Sequence, residues 1–225
     1  MAILLTIQQK IPQMTMLKTE LLAPAGSLEV IYPAVRMGAN AVYLGADIFS
    51  ARGNAGNFNR EQLLEAVKYC HARNVAVHLA CNTLIHDDEM ESALNLIKYA
   101  CEIGIDAIII QDIGLVSLIR KAAPNMTLHA STQMSVHTAE AAKMLYDMGF
   151  ERVVLARELS KTEIKEIADK LKSMNCPIEL EVFVHGALCM SVSGQCYMSA
   201  MLGGRSGNRG SVSYTHLRAH ETSQD

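Results

Sequence analysis

Residues 75–110 read VAVHLACNTLIHDDEMESALNLIKYACEIGIDAIII, and this stretch decides the fold. It opens on a short valine-rich run, Val75–Leu79, of strand length. An amphipathic stretch follows, Asp87–Ile103, in which Met90, Leu94, Ile97 and Cys101 recur at helical spacing and are expected to face inward. Gly104 supplies the residue that most easily turns left-handed and stops such a helix. A second apolar run, Ala107–Ile110, begins at once. Strand, helix and strand in this order make a βαβ unit with parallel strands.

The same beat runs outward in both directions. Upstream, Glu20–Ala23 and Ala41–Leu44 read as strands and Ser27–Met37 and Arg60–Arg73 as helices. Ser27 is placed to cap the first helix after the Pro24-Ala25-Gly26 turn, and Leu63, Leu64, Val67 and Cys70 share one face of the second. Downstream come helix Ile113–Ala122, strand Thr127–Ala130, helix Thr138–Met148 before Gly149, strand Arg152–Leu155, helix Lys161–Ser173 and strand Ile178–Val184 after Pro177. Such alternation closes into an eight-stranded barrel or opens into a doubly wound sheet. No Gly-x-Gly-x-x-Gly follows the first strand, which argues against the dinucleotide-binding version. The expectation is an α/β, TIM-barrel-like (β/α) repeat domain, truncated before the last unit.

Composition agrees. Hydrophobic residues make up 50% of the 225, Trp is absent, and the interior is expected to be aliphatic, as in parallel strands covered by helices. A net charge of -3 excludes a wholly basic nucleic-acid platform, though not a local basic patch. The apolar run within residues 1–10 is too short to span a bilayer and lacks the flanks of a signal peptide, so residues 1–16 read as a poorly specified leader. No membrane association is expected, the location is read as cytoplasmic, and the cysteines are read as reduced thiols.

In either architecture chemistry gathers at the carboxyl ends of the strands. Those ends read Ala25-Gly26, Gly45, Asn82, Gln111-Asp112, Ser131-Thr132-Gln133, Arg157-Glu158 and His185. Asn82, Gln111 and Gln133 offer neutral hydrogen bonds to a substrate. Arg157 offers a fork for carboxylate or phosphate, and Arg52 a second cation, a pairing suited to a small anion. Asp112 and Ser131 have the alternative of capping helices. Glu158, Glu181 and His185 are the candidate acid–base groups. Glu181 and His185 share a strand face by period two, both expected to point into the barrel, where Glu181 needs a partner and Arg157 is one choice.

Six cysteines divide into two kinds. Cys70, Cys81, Cys101 and Cys176 lie singly in apolar stretches and are expected to pack as small hydrophobes. Cys189 and Cys196 lie seven positions apart in a Gly/Ser loop after the last strand. Two thiols there suit a soft metal centre, but two alone do not complete a four-coordinate site. A Cys189–His185 dyad would need a helical turn between them. His-Glu-x-x-His and Gly-x-Ser-x-Gly are both absent.

Glu181, Phe183, Gly186, Ala187, Leu188, Cys189, Gly194, Cys196, Met198 and Ser199 together resemble the signature of the collagenase-like peptidase family, as do Glu20–Ser27 and Gly203–Gly210. The resemblance covers about residues 17–210. It implies proteolysis, including of collagen, by the family's label. The resemblance to the family's oxygen-independent hydroxylation proteins, which hold a 4Fe-4S cluster on four cysteines, implies instead hydroxylation of RNA; that is the main expectation, with the peptidase as the alternative. Some of these act on the wobble uridine of tRNA with prephenate as hydroxyl source, others on rRNA or on ubiquinone precursors. On this resemblance Cys189 and Cys196 are the first two cluster ligands, RNA (tRNA or rRNA) is the expected partner, and a partner subunit of the same family is an alternative role. The family's third cysteine is due near position 212. Residues 211–225 contain no cysteine and no apolar periodicity and read as a non-native or disordered tail, in which the zinc-like spacing of His216 and His220 is accidental. The chain as written is therefore expected to hold a cluster poorly.

Overall fold

The computed structural model describes residues 3–7, 19–51, 57–186 and 189–196. Eight strands close a barrel in chain order: β1 (Ile3–Ile7), β2 (Glu20–Pro24), β3 (Ala41–Gly45), β4 (Ala76–Cys81), β5 (Ala107–Ile110), β6 (Thr127–Ala130), β7 (Arg152–Val154) and β8 (Glu179–His185). Strands β2 to β7 are each parallel to the next strand in the chain. They are joined through α1 (Leu28–Arg36), α2 (Arg60–His71), α3 (Met90–Ile103), α4 (Ile113–Ala122), α5 (Ala139–Asp147) and α6 (Lys161–Ser173). All seven strands expected from the sequence are present.

The eighth stave comes from the segment read as a leader. β1 runs antiparallel to both neighbours, with Leu4 opposite Leu22 on β2 and Phe183 on β8. Seven parallel strands leave two open edges with unpaired amides and carbonyls. A short strand from upstream satisfies both, so the ring closes without an eighth βα unit. Residues 211–225 lie outside the described residues.

Alternation along the strands makes two cores. Val42, Leu44, Val77, Leu79, Ile108, Ile110, Leu128, Val153 and Leu180 face the helices and form the main aliphatic core. Leu4, Leu22, Ala41, Tyr43, Ile109 and Val154 point inside the barrel. That inner space is not wholly aliphatic, as composition suggests: His78, His129, Arg152 and Glu181 are buried as well. Period two shows which residues share a face, but not which face meets the helices.

Local punctuation explains the helices. Asn59 and Gln62 form a capping box at the start of α2, as Ser160 and Glu163 do at α6, and Asp112 Oδ1 accepts from Leu115 N at 2.8 Å to cap α4. Gly104 takes φ 85° and ends α3, as expected. Ser27 occupies the cap position of α1 without a side-chain capping hydrogen bond.

The inward face of α3 is Ala93, Leu96, Ile97 and Ala100; Met90 and Leu94 are half-buried, and Cys101 is exposed rather than inward. Small alanines let α3 approach the sheet, and bulk-weighted periodicity overlooks them. In α2 the same substitution occurs, with Ala66 buried and Leu64 half-buried. Cys70, Cys81 and Cys176 are buried, as expected. Among the described residues no helix is long and apolar enough to cross a membrane.

Candidate functional site at the carboxyl ends of the strands

The loops after β4, β5 and β6 are laced together by the residues singled out at the strand ends. Asn82 Oδ1 accepts from Ala51 N at 3.0 Å, and its Nδ2 reaches Ser131 Oγ at 3.5 Å. Ser131, buried, accepts from Gln133 N and caps the short 3-10 turn Thr132–Met134. Gln111 Nε2 donates to the Gln133 carbonyl at 3.5 Å. Asp112 spends one oxygen on its own helix and the other on Ile85 N. Asn82, Gln111 and Gln133 therefore do gather at one mouth. Arg52 lies outside the described residues.

The cysteine loop after β8 docks on the loops after β6 and β7. Its anchor is Ser193, 0% exposed. Ser193 Oγ accepts from Arg157 N at 3.1 Å and Arg157 Nε at 3.2 Å, and Arg157 Nη2 donates to the Ser191 carbonyl at 3.3 Å. Ser193 N donates to Glu158 Oε1 at 2.5 Å, and the Ser193 carbonyl accepts from Ser135 Oγ at 2.5 Å. His137 closes the circuit. Its Nδ1 lies 2.8 Å from the Ser135 carbonyl, which can only accept, so Nδ1 carries the proton. Its Nε2 faces Glu158 Oε2 at 3.5 Å. The next residue, Gly194, sits at φ 75° against the Gln133 carbonyl and Ser135 Oγ, where a Cβ would collide with both.

Arg157 and Glu158 are thus engaged with the cysteine loop itself. Partial burial works to raise the Glu158 carboxyl, but its own backbone amide, Ser193 and Arg157 outweigh it and hold it below the ordinary range. Cys189 is exposed and Cys196 half-buried. Partial burial acts to raise the Cys189 thiol; hydrogen bonds from Ser191 and Arg157, with the Arg157 charge, prevail and lower it. Accessible thiols, one tipped toward thiolate, match the donor chemistry of an iron–sulfur centre. Among the described residues no group of three or more Cys, His, Asp or Glu converges as a metal site.

Glu181 and His185 part company. Glu181, 1% exposed, pairs with Arg152 Nη1 at 3.3 Å and not with Arg157. His185 is exposed, because β8 runs beyond the last residue of β7 that pairs with it, Val154 opposite Glu181. Arg152 also pairs with Glu20 at 2.8 Å and Glu179 at 2.7 Å, residues that open β2 and β8. This charge cluster lies at the amino end of the barrel. Beside it a cavity of 370 Å³ is lined by His78, His129, Arg152 and Glu179 among others. The His78 and His129 rings meet edge to face at 4.8 Å between centroids.

Ser193, Ser135, His137, Arg152 and the two buried histidines were not singled out from sequence. A charged residue opening an apolar strand, as in Arg152-Val-Val, or a lone His inside one, as in Val-His-Leu and Leu-His-Ala, is the signal that marks an inward polar position. Ser193 carries no such signal.

Comparison with known proteins places the chain's sequence in a family. The chain is 42% identical over 196 residues to the 23S rRNA 5-hydroxycytidine C2501 synthase of Escherichia coli, covering 87% of this chain and 29% of that protein. It is 37% identical to tRNA hydroxylation protein P1 of Bacillus subtilis, covering 86% and 44%. It is 34% identical to the collagenase of Porphyromonas gingivalis, covering 89% and 50%. The chain thus spans half or less of the length of these relatives. Among solved structures, the U32 peptidase Mk0906 superposes with a TM-score of 0.59 at 14% identity, over 72% of this chain and 68% of that one, which supports the barrel fold. The profile of peptidase family U32 matches residues 26–215, and with identities of this size the chain belongs to that family.

Proposed function

We propose that this domain is the cysteine-bearing barrel of an RNA-hydroxylating protein, acting on tRNA or rRNA. The observation that carries the reading is the loop with Cys189 and Cys196, anchored at the carboxyl mouth of the barrel beside Arg157 and Glu158. Relatives named for tRNA and rRNA hydroxylation, at 37% and 42% identity, support it. Cys189 and Cys196 would hold two corners of a 4Fe-4S cluster, and residues 197–225 contain no further cysteine to complete it. When bound, the cluster supplies a redox-active iron centre at the mouth. Asn82, Gln111 and Gln133 place neutral donors and acceptors around the same opening, where a small hydroxyl source such as prephenate would be oriented.

The peptidase reading rests on the relative named collagenase. A thiol protease needs a base that takes the cysteine proton. The groups that act most strongly on Cys189 are donors, the Ser191 amide and Arg157. His137, the nearby imidazole, is engaged with Ser135 and Glu158. Hydroxylation is therefore the primary reading.

The test is mass spectrometry of tRNA and rRNA nucleosides from cells with and without the gene. A hydroxylated pyrimidine should vanish on deletion and return with the wild-type gene but not with Cys189→Ser. Unchanged nucleosides, together with gelatin hydrolysis by pure protein that Cys189→Ser abolishes, would make the peptidase reading primary.

A further inference from the structure

We propose that Glu158 is a positioning residue that, with Ser193 and His137, sets the cysteine loop in shape before any metal arrives. This rests on the reading of Cys189 and Cys196 as cluster ligands. Three hydrogen bonds and one close approach form a closed ring: Ser193 N donates to Glu158 Oε1, His137 Nδ1 to the Ser135 carbonyl and Ser135 Oγ to the Ser193 carbonyl, while His137 Nε2 lies 3.5 Å from Glu158 Oε2. The ring ties both backbone polar groups of one loop residue to two other loops. Among the described residues of the loop, Met190 is 99% exposed and Val192 52%, so these large side chains contribute little burial. The buried residue among them is Ser193. An unanchored loop would lose conformational entropy on closing around a metal, and a loop already held in place is spared that loss. Groups that orient ligands without touching the metal change affinity by about 10- to 100-fold when removed.

Glu158 serves the ring through two separate oxygens, which allows a graded test. Glu158→Gln keeps an acceptor for Ser193 N. Glu158→Ala removes both contacts. The full chain is titrated with Cd²⁺, read by thiolate-to-metal absorbance, with the Cys189→Ser/Cys196→Ser double variant as the blank for other thiols. Backbone exchange of residues 189–196 is read in parallel by deuterium uptake without metal, and the thermal midpoint reports the barrel. Glu158→Ala is expected to weaken Cd²⁺ binding by about 10-fold or more and to speed exchange at Ser193, with the thermal midpoint kept. Glu158→Gln should stay close to wild type, and His137→Ala should fall between. Equal affinity and equal exchange in wild type and Glu158→Ala would overturn the positioning role and leave the ligand assignment standing. Cd²⁺ binding by wild type no better than by the blank would overturn the ligand assignment, and the positioning role with it.

Discussion

Acid should weaken this barrel through His78. The ring lies on β4, 4% exposed, against His129. Burial, the larger cause, and the Arg152 guanidinium push its pKa down from 6.5 to about 4. A base with a depressed folded pKa binds fewer protons folded than unfolded, so stability falls as pH drops. The loss opens as the unfolded chain begins to protonate near 6.5 and levels off near 4, where the folded ring takes up its own proton. Between about pH 7.5 and pH 5 the difference integrates to about 2 kcal/mol for this one residue. His129 is shifted the same way, first by burial and then by His78 and Arg152, so the whole protein should lose more than that.

The assay is urea denaturation at about pH 7.5, 6.5 and 5 under reducing conditions, on wild type and His78→Leu. The substitution keeps apolar volume inside the barrel and removes the titrating ring. Its stability at neutral pH is not the quantity of interest. The fall from neutral to acid pH should be smaller in the variant by about 2 kcal/mol. Groups remote from His78 cancel in this comparison, while His129, part of whose shift comes from His78, adds to the difference. An identical fall in both would show that His78 is either already protonated in the fold or reached by water, and would refute the buried, neutral assignment.

Three further outcomes follow from named contacts. Arg152→Met should cost about 3–5 kcal/mol in chemical denaturation, because Glu20, Glu179 and Glu181 lose their shared cation while Glu181 stays buried; a loss under about 1 kcal/mol would show that the cluster is solvated. Gly194→Ala should disorder the cysteine loop while sparing the barrel, since its Cβ meets the Gln133 carbonyl at a positive φ; unchanged deuterium uptake at 189–196 would contradict that packing. Native alkylation followed by mass mapping should label Cys101 and Cys189 and spare Cys70 and Cys81, whose thiols burial pushes up to about 11 and about 12; early labelling of Cys81 would mean that β4 opens locally.

Local signals carried the fold well where they were complete. Helices Ile113–Ala122 and Lys161–Ser173 and strands Ala107–Ile110 and Thr127–Ala130 appear at the boundaries read from sequence. Asp112 and Ser160 begin those helices by hydrogen bonds to residues three positions on, a signal contained in the chain itself. Closure by β1 was not legible, because its partners β2 and β8 lie at opposite ends of the sequence. The mouth of the barrel was legible through Asn82, Gln111, Gln133 and Arg157, since chain direction fixes which end of each parallel strand they occupy. Their partners were not, because a hydrogen bond between loops leaves no period in either loop.

The two arginines of the β7 region show where that difference matters. Arg152 and Arg157 lie five positions apart, one opening the strand and one beyond its end, so they serve opposite ends of the barrel. Sequence offered Glu181 either as an acid–base group or as a partner for Arg157. The fold gives it to Arg152, in company with Glu20 and Glu179. To act at the mouth Glu181 would have to leave a buried guanidinium, and breaking a buried pair costs about 3–5 kcal/mol before any chemistry begins. Glu158 meets no such barrier: it is partly exposed, already beside the cysteine loop, and held as a carboxylate. Of the acidic groups singled out, it is the one whose charge the carboxyl mouth can use, and its present use is to hold Ser193.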